Sequence, residues 1–246
     1  MNGFPALERI RVVLCQPSHP GNIGAAARAM KTMGLSRLYL VNPKSFPDPE
    51  ALARASGAGD VLERAIVCPS LALALADTVF AAGMSARRRD LSLPFCWARD
   101  GAQQLIENQV HGEVALVFGN EQAGLSNEDL ALCQLPVMIP TDAAYASLNL
   151  GAAVQIMCYE LRLAAAVPAP LPQEILPPAS AAEIEGLFDH LERAALGSGF
   201  LDPAQPKRLM LRLRRLFGRS RLEREEVSIL RGLLSSFEKA KIRRKT

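Results

Sequence analysis

Arg28 stands in a run of small residues whose spacing could bring it close to a ligand. Residues 18–30 read SHPGNIGAAARAM and follow the apolar run RIRVVLC. A helix that begins after Gly24, with alanine at three successive positions, lets another backbone or a ligand approach closely. Arg28 is then the long polar side chain at that place, and its guanidinium carries five hydrogen-bond donors and a permanent charge. We therefore expect this guanidinium to have a chemical role.

A second polar cluster follows another apolar run. Residues 118–130, FGNEQAGLSNEDL, place Glu121 between two glycines directly after the run EVALVF. A tight turn would explain the glycines, and capping of the next helix would explain Ser126 or Asn127. A carboxylate enclosed by glycine and alanine is harder to explain by packing. Glu121 is therefore a candidate functional group.

A third cluster follows the run PVMI. Residues 139–161, IPTDAAYASLNLGAAVQIMCYEL, carry Ser147 and Asn149 just before an apolar helical pattern. Either residue alone is equally well explained as a helix N-cap. Three such loops after three apolar runs, each with one or two isolated polar side chains, exceed what packing requires.

The elements that must position these loops alternate between strand-like and helical patterns. Alternation of this kind predicts an α/β domain with a largely parallel sheet, whose carboxyl edge forms the ligand crevice. A helix over 149–166 is apolar on most sides, and we expect it to be largely buried. The predicted strands are residues 9–15, 37–42, 78–83, 113–118 and 136–139.

Composition limits the class of protein. The chain has 246 residues, of which 49% are hydrophobic and 22% charged, as is typical of a soluble globular protein. Its first residues do not resemble a signal peptide, and Asp77 interrupts the longest apolar stretch, so we expect a cytoplasmic protein without a membrane span. The five cysteines are far apart and read as reduced core thiols. The three histidines have no metal-ligand spacing, and we expect no metal.

The C-terminal quarter differs in composition and charge. Residues 167–180 contain five prolines and predict a semi-rigid linker between residues 1–166 and 181–246. Residues 181–246 carry 15 Lys and Arg against 9 Asp and Glu, whereas the rest of the chain is net negative. They read as two or three amphipathic helices with a turn at 197–199. The basic excess indicates either a polyanionic partner or a solvated helical surface.

Two nucleotide-binding fingerprints are absent from the sequence. The first loop is not a G-x-G-x-x-G, and no G-K-[ST] follows a glycine-rich loop anywhere. A nicotinamide-dependent enzyme would need an acidic residue after the second strand, where Val41, Asn42 and Pro43 stand instead. That class of enzyme is therefore disfavoured.

The three clusters, in order, resemble the three motifs of the SPOUT superfamily of RNA methyltransferases. The resemblance rests on N-x-G-x-x-x-R at 22–28, F-G-x-E-x-x-G-L at 118–125 and S-L-N-L at 147–150. The chain is most similar to the TrmJ family, through RAMKTMGL, LVNP, GMSARRR and SLNLGAAVQ as well, over about residues 8–165. The resemblance implies an α/β sheet with a C-terminal trefoil knot, a small helical C-terminal domain over 181–246, and a homodimer. It also implies S-adenosylmethionine-dependent 2′-O-methylation of tRNA at nucleotide 32, a cytidine or uridine in the anticodon loop.

The resemblance also assigns site residues. Arg28 is carried over as the catalytic residue, and the supporting candidates are Asn22, Glu121, Ser147 and Asn149. The cofactor site would comprise Met84, Ser85, Ala86, Gly119, Ile139, Ala146, Ser147 and Leu148. The RNA-binding candidates are Arg87, Arg88, Arg89, Lys207, Arg208, Arg212, Arg215 and Arg219. Arg214 and Arg221 belong to the same C-terminal basic cluster, which would supply phosphate contacts.

Several alternatives accompany these assignments. The arginines at 87–89 could be a solvated loop, and the leucines at 209, 213 and 216 could be core or dimer packing on the face opposite the cations. Asn120 stands where family members often carry arginine, so a phosphate contact there would be lost or supplied by the arginines at 87–89. A different class of function is a non-catalytic RNA-binding or assembly protein that retains the cofactor pocket.

Overall fold

A seven-stranded, all-parallel sheet forms the centre of the protein in a computed structural model that describes residues 5–86, 95–142, 144–166 and 177–243. The strand order is β3-β2-β1-β6-β4-β7-β5. The five predicted strands are all present, and two short strands, β3 and β5, were not predicted from the sequence. The strands are β1 (Ile10–Cys15), β2 (Arg37–Val41), β3 (Ile66–Cys68), β4 (Thr78–Met84), β5 (Cys96–Trp97), β6 (Glu113–Phe118) and β7 (Leu135–Met138).

Helices cover both faces of this sheet, and a 3₁₀ turn at Pro5–Arg9 precedes β1. In β1, Ile10, Val12 and Leu14 enter one core cluster, while Val13 and Cys15 enter the other. The strand is apolar throughout because successive side chains point to opposite faces and both faces are buried. The helices are α1 (Pro20–Met33), α2 (Pro49–Ala55), α3 (Gly59–Glu63), α4 (Leu71–Leu75), α5 (Ala98–Asn108), α6 (Asn127–Ala131), α7 (Leu150–Ala165), α8 (Ala181–Ser198), α9 (Leu209–Gly218) and α10 (Arg224–Arg243).

Helix α1 begins five residues earlier than the expected start after Gly24. It begins at Pro20, so that Asn22 and Gly24 already lie within its first turns. Proline is favoured at the first helical position because its fixed φ suits the helix and its missing N–H would have no partner there. His19 is the N-cap, and its Nδ1 accepts a hydrogen bond from the Gly21 N–H at 3.1 Å. The expected start after Gly24 was therefore wrong.

Helix α7 lies between α1 and α5, with one face in the core. Val154, Met157 and Leu161 are fully buried, whereas Tyr159 and Leu163 are 48% and 43% exposed. The expectation of a largely buried helix therefore holds for one face only. A helix that is apolar all round but buried on one side leaves apolar surface for another contact.

Helices α8, α9 and α10 pack around a small core of their own, which includes Leu187, Leu222 and Val227. Helix α8 continues through Ser198 and ends at Gly199, whose φ of +80° is a left-handed cap. Residues 197 and 198 of the predicted turn are therefore helical, and the chain turns at Gly199. The Ala182 N–H donates to the Ala76 carbonyl at 3.2 Å, which joins the start of α8 to the turn between α4 and β4.

The cysteines are free thiols, as the sequence indicated. Four of the five are buried, and burial raises the pKa of Cys15, with a smaller contribution from Asp129, to about 12. Among the residues that the structure describes, no three potential metal-ligating side chains cluster, and no helix there has both the length and the apolar composition of a transmembrane segment.

Candidate active site

The expected cofactor segments follow three neighbouring strands. Strand β4 lies between β6 and β7, with Gly83 in register with Val117 on one side and Met84 with Val137 on the other. Because all three strands are parallel, their carboxyl ends meet at one edge of the sheet. The sheet therefore brings together residues that are far apart in the sequence. Those at this edge are Met84 at the end of β4, Ser85 and Ala86 after it, Gly119 after β6, and Ile139 after β7.

Glu121 joins the second motif to the first. One carboxylate oxygen accepts hydrogen bonds from the Ser18 N–H at 2.9 Å and the Ser18 hydroxyl at 2.8 Å. The other accepts from the Asn22 side-chain amide at 2.9 Å and the His19 N–H at 3.3 Å. A carboxylate at the N-terminus of α1 also interacts favourably with the helix dipole. Glu121 therefore holds the loop before α1 against the loop after β6.

These hydrogen bonds explain the ionisation of Glu121. Partial burial alone would raise the pKa of this carboxyl, but the hydrogen bonds from Asn22 and Ser18 outweigh it and lower the pKa to about 2. The carboxylate is thus charged throughout the neutral range and cannot take up a proton there. The four hydrogen bonds account for the placement of Glu121, which suits a positioning role and not proton transfer.

Ser18 and His19 were missed as contributors by the sequence analysis. Ser18 supplies two of the four donors to Glu121, and His19 caps α1. The local signal was present, because a polar residue directly before a proline is a common start of a helix. The pairing with Glu121 crosses about a hundred residues of chain and has no local signal.

Asn149 brings the third motif to α1. Its side-chain oxygen accepts from the Ala152 N–H at 2.8 Å and so caps α7. Gly151, two residues on, is packed against α1, since a Cβ there would lie 2.9 Å from the Ala25 Cβ. Ser147 lies exposed in the loop that leads to this cap, beside Leu148. The capping alternative is therefore correct for Asn149, and a second role toward a ligand is compatible with it.

Arg28 lies on the exposed face of α1 where α2 and α7 converge. It follows Gly24 by four residues and Ala25 by three, so all three share one helix face. A Cβ on Gly24 would lie 2.1 Å from the Ala51 carbonyl oxygen in α2, and Ala25 meets Gly151 of α7. No other described residue forms an ion pair or hydrogen bond with the Arg28 guanidinium. This cation is available to a ligand.

Asn120 holds the second motif loop in place through two side-chain hydrogen bonds. Its side-chain amide donates to the Gln16 carbonyl at 2.7 Å, and its side-chain oxygen accepts from the Gln122 N–H at 2.9 Å. Gly119 is required beside it, because a Cβ there would lie 2.0 Å from the carbonyl carbon of Gly124. The nitrogen and the oxygen of the Asn120 side-chain amide thus both form hydrogen bonds inside the protein.

The C-terminal cations divide into two sets. Arg214 forms two hydrogen bonds to Glu185, at 2.5 and 2.7 Å, and stacks on Phe188, while Arg221 donates to Gln104 at 2.9 Å. Those two are structural. The second set comprises Lys207, Arg208, Arg212, Arg215 and Arg219. Within the described chain, no hydrogen bond or ion pair links this set to a motif loop. The three RNA-binding candidates at 87–89 lie outside the described residues.

The leucines at 209, 213 and 216 do not belong to the buried core of the helical region. Leu209 and Leu213 line an open cavity of about 630 Å³ between α8, α9 and α10, and Leu216 is 48% exposed. The core alternative for this leucine series was therefore wrong for Leu216. Phe217 provides the contact of α9 with the small core instead.

The edge residues fit the adenosine and methionine parts of S-adenosylmethionine. Ala86, Gly119 and Ala146 are small, which leaves the backbone accessible, and Ile139 and Leu148 are partly exposed apolar side chains. An adenine ring needs hydrogen bonds at its edge and apolar contact on its faces. The main chain of residues 144–149 is carried by exposed residues and can supply such bonds.

Comparison with known proteins places this chain in a family. The profile of the SpoU rRNA Methylase family matches residues 9–159, and that of the tRNA methyltransferase TrmJ C-terminal domain matches residues 182–246. The chain is 50% identical, over 95% of each chain, to tRNA (cytidine/uridine/adenosine-2′-O-)-methyltransferase TrmJ of Pseudomonas aeruginosa (strain UCBPP-PA14). It is 45% identical, over 95% of this chain and 98% of the other, to tRNA (cytidine/uridine-2′-O-)-methyltransferase TrmJ of Photorhabdus laumondii subsp. laumondii.

Solved structures agree in fold. The crystal structure of TrmJ from Z. mobilis ZM4 superimposes with a TM-score of 0.83 at 34% identity, covering 93% of this chain and 98% of that one. A more distant match, the SpoU methyltransferase AviRb from Streptomyces viridochromogenes in complex with AdoMet, has a TM-score of 0.51 at 24% identity over 65% and 59% of the two chains. The ordered motifs, the all-parallel sheet and these matches lead to one conclusion: the chain belongs to the SpoU methylase family and, within it, to the TrmJ tRNA 2′-O-methyltransferases.

Proposed function

We propose that this protein transfers the methyl group of S-adenosylmethionine to the ribose 2′-hydroxyl of nucleotide 32, a cytidine or uridine, in the anticodon loop of tRNA. The observation that carries the proposal is the convergence of three motif loops on one helix, α1. Glu121 fastens the second loop to its N-terminus, and Gly151 packs the third against Ala25. The tRNA substrate is supported by the relatives, whose names specify tRNA 2′-O-methylation.

The proposed cofactor segments lie at the carboxyl ends of β4, β6 and β7 and in the loop before α7. Bound there, S-adenosylmethionine supplies an activated methyl group on its sulfonium. Small residues such as Gly119 and Ala146 would let the cofactor contact the main chain, while Ile139 and Leu148 would contact the adenine faces. Support for this cofactor comes from the AviRb structure, which contains AdoMet and shares the fold.

In this proposal Arg28 binds the hydroxyl and the adjoining phosphate and stabilises the negative charge that develops on the attacking oxygen. A guanidinium holds its proton far above neutral pH, so it is unsuited to act as the base. The hydroxyl proton is released to solvent water as the methyl–sulfur bond breaks, and the neutral thioether S-adenosylhomocysteine is the second product. Preorganised donors aimed at developing charge are a large contribution to catalysis. Asn22 and Glu121 hold the start of α1, the helix that carries Arg28, and Ser147 and Asn149 would border the same site from the loop before α7.

The proposal includes a trefoil knot and a homodimer. The exposed apolar side chains of α7 and the loop before it support a second copy at this face, since Tyr145 is 80% exposed and Tyr159 48%. The proposed division of the chain is a methyltransferase domain over 1–166, a linker over 167–180 and a tRNA-binding domain over 181–246. The separate core of α8 to α10 supports this division. With tRNA as substrate, the protein acts in the cytoplasm.

The test is transfer of labelled methyl from S-adenosylmethionine to unmodified tRNA by the wild type and Arg28→Ala, followed by nuclease digestion. We expect label on the 2′-oxygen of nucleotide 32. In the variant, the activation barrier for methyl transfer should rise by about 2–4 kcal/mol, which slows the reaction. The digest also identifies whether adenosine at that position is accepted. Full activity of Arg28→Ala contradicts the role of Arg28, and tight tRNA binding without label in either protein favours the non-catalytic function.

A further inference from the structure

Arg54 in α2 lies against α1 at Gly24, one helical turn before Arg28. A Cβ on Gly24 would be 2.1 Å from the Ala51 carbonyl oxygen and 2.9 Å from the Arg54 Cβ. Helices α1 and α2 are thus in backbone contact at Gly24, and Arg54 stands at the crossing. Arg28 is one turn further along the same face of α1. The two arginines therefore border one seam at the surface.

The packing of α2 determines this placement. Ala51 and Ala55 are buried against α1 at 1% and 0% exposure, whereas Arg54 between them is exposed. The small residues at positions i and i+4 allow the close approach of the helices, and Arg54 stands at the rim of the contact. Its side chain is held near the seam by the backbone and is free to extend toward a bound molecule.

Arg54 has no counter-charge among the residues that the structure describes. Glu50 precedes it by four residues, the spacing at which acidic and basic side chains pair on a helix, but the Glu50 carboxylate lies 3.9 Å from His19 Nδ1 instead. Other cations nearby are paired, since Lys31 and Arg64 both bind Asp60 at 2.7 Å. Two unpaired guanidiniums at one seam repel each other, and a polyanion would relieve that repulsion.

We propose that Arg54 is an RNA-binding residue, which contacts a backbone phosphate next to the nucleotide whose ribose Arg28 engages. This inference rests on the proposed function and extends it from the motif residues to a helix outside all three motifs. Contacts to phosphate orient an RNA without reading its sequence. Arg54 therefore contributes to tRNA affinity and does not contribute to cofactor binding.

The experiment compares tRNA binding by the wild type, Arg54→Ala, Arg54→Lys and the control Arg64→Ala between 50 and 200 mM salt. Arg64 is a matched control because it is an exposed arginine at a helix end whose partner, Asp60, lies within the protein. We expect Arg54→Ala to reduce the slope of log K against log salt by about one and to raise KM for tRNA about tenfold. Arg54→Lys retains the slope, and Arg64→Ala matches the wild type.

Cofactor affinity is the second readout. Trp97 is the single tryptophan and lies in register with Met138 beside the proposed cofactor edge, so its fluorescence is the probe used to follow S-adenosylmethionine binding. The change of Trp97 fluorescence with S-adenosylmethionine concentration is expected to be the same in Arg54→Ala and the wild type. An unchanged slope in Arg54→Ala, or an equal loss in Arg64→Ala, overturns the inference. If the slopes of the wild type and Arg54→Ala differ as expected but the wild type transfers no methyl group, the proposed function is wrong and the role of Arg54 stands. If the wild type does not bind tRNA, both are wrong.

Discussion

Replacement of Glu121 by glutamine tests how the motif loops are held together. The carboxylate accepts four hydrogen bonds from Ser18, His19 and Asn22, at 2.8 to 3.3 Å. A glutamine of the same shape has one acceptor oxygen, and its NH₂ group would face donors. At least one donor therefore loses its partner, and the remaining hydrogen bonds lose their charge.

The size of the effect follows from the pKa. A pKa lowered from 4.5 to about 2 corresponds to about 3 kcal/mol at neutral pH, since a tenfold change in proton affinity is about 1.4 kcal/mol. Because Glu121 is only partly buried, solvent screening reduces this figure. We expect Glu121→Gln to lower the free energy of unfolding at pH 7 by about 1–3 kcal/mol.

The pH dependence has a defined sign. The pKa of Glu121 is lower in the folded than in the unfolded protein, so its stabilisation is complete above pH 4.5 and is lost as the pH falls toward 2. The difference in the free energy of unfolding between the wild type and Glu121→Gln should therefore be constant from pH 8 to 5 and shrink by more than half at pH 3. Urea unfolding at each pH measures it.

Glu128→Gln is the matched control, because Glu128 is an exposed carboxylate in the first turn of α6. It should change the free energy of unfolding by less than about 0.5 kcal/mol. Methyl transfer by Glu121→Gln should fall about tenfold to a hundredfold because the loop before α1 shifts. A destabilisation that is as large at pH 3 as at pH 7 would refute the reasoning, as would a fully stable variant.

Two further predictions concern helix packing and the basic helix α9. Gly24→Ala should destabilise the protein by about 1–3 kcal/mol or more in thermal unfolding, since its Cβ would meet the backbone of α2, whereas Gly232→Ala, with open space around it, should stabilise it by up to about 1 kcal/mol. Equal effects of the two changes would contradict the close helix contact. Simultaneous replacement of Arg212, Arg215 and Arg219 by glutamine should lower the salt slope of tRNA binding by about three, whereas Arg214→Ala should lower stability and leave the slope unchanged; a slope that falls with Arg214→Ala counts against this division. Arg212 and Arg219 are exposed, and Arg215 is half-buried.

The strands and the order of the motifs were readable from local pattern. Continuous apolar runs such as EVALVF predicted buried parallel strands, and β6 has the predicted bounds. The short strands β3 and β5 were missed, because two or three residues carry too little periodicity to be recognised. The start of α1 was missed because Pro20 and the His19 cap were read as part of the loop.

The sequence by itself determined the class of fold, the three loops and the identity of Arg28 as the cation among small residues. These properties depend on residue type and short spacing, which act within a few residues of chain. The tertiary structure alone decided which groups meet. It placed Glu121 on the donors of the first loop, brought Glu50 near His19, and set Arg54 of α2 against Gly24 of α1. The physical reason is that such pairings arise from the packing of distant helices and strands, and no local pattern encodes them.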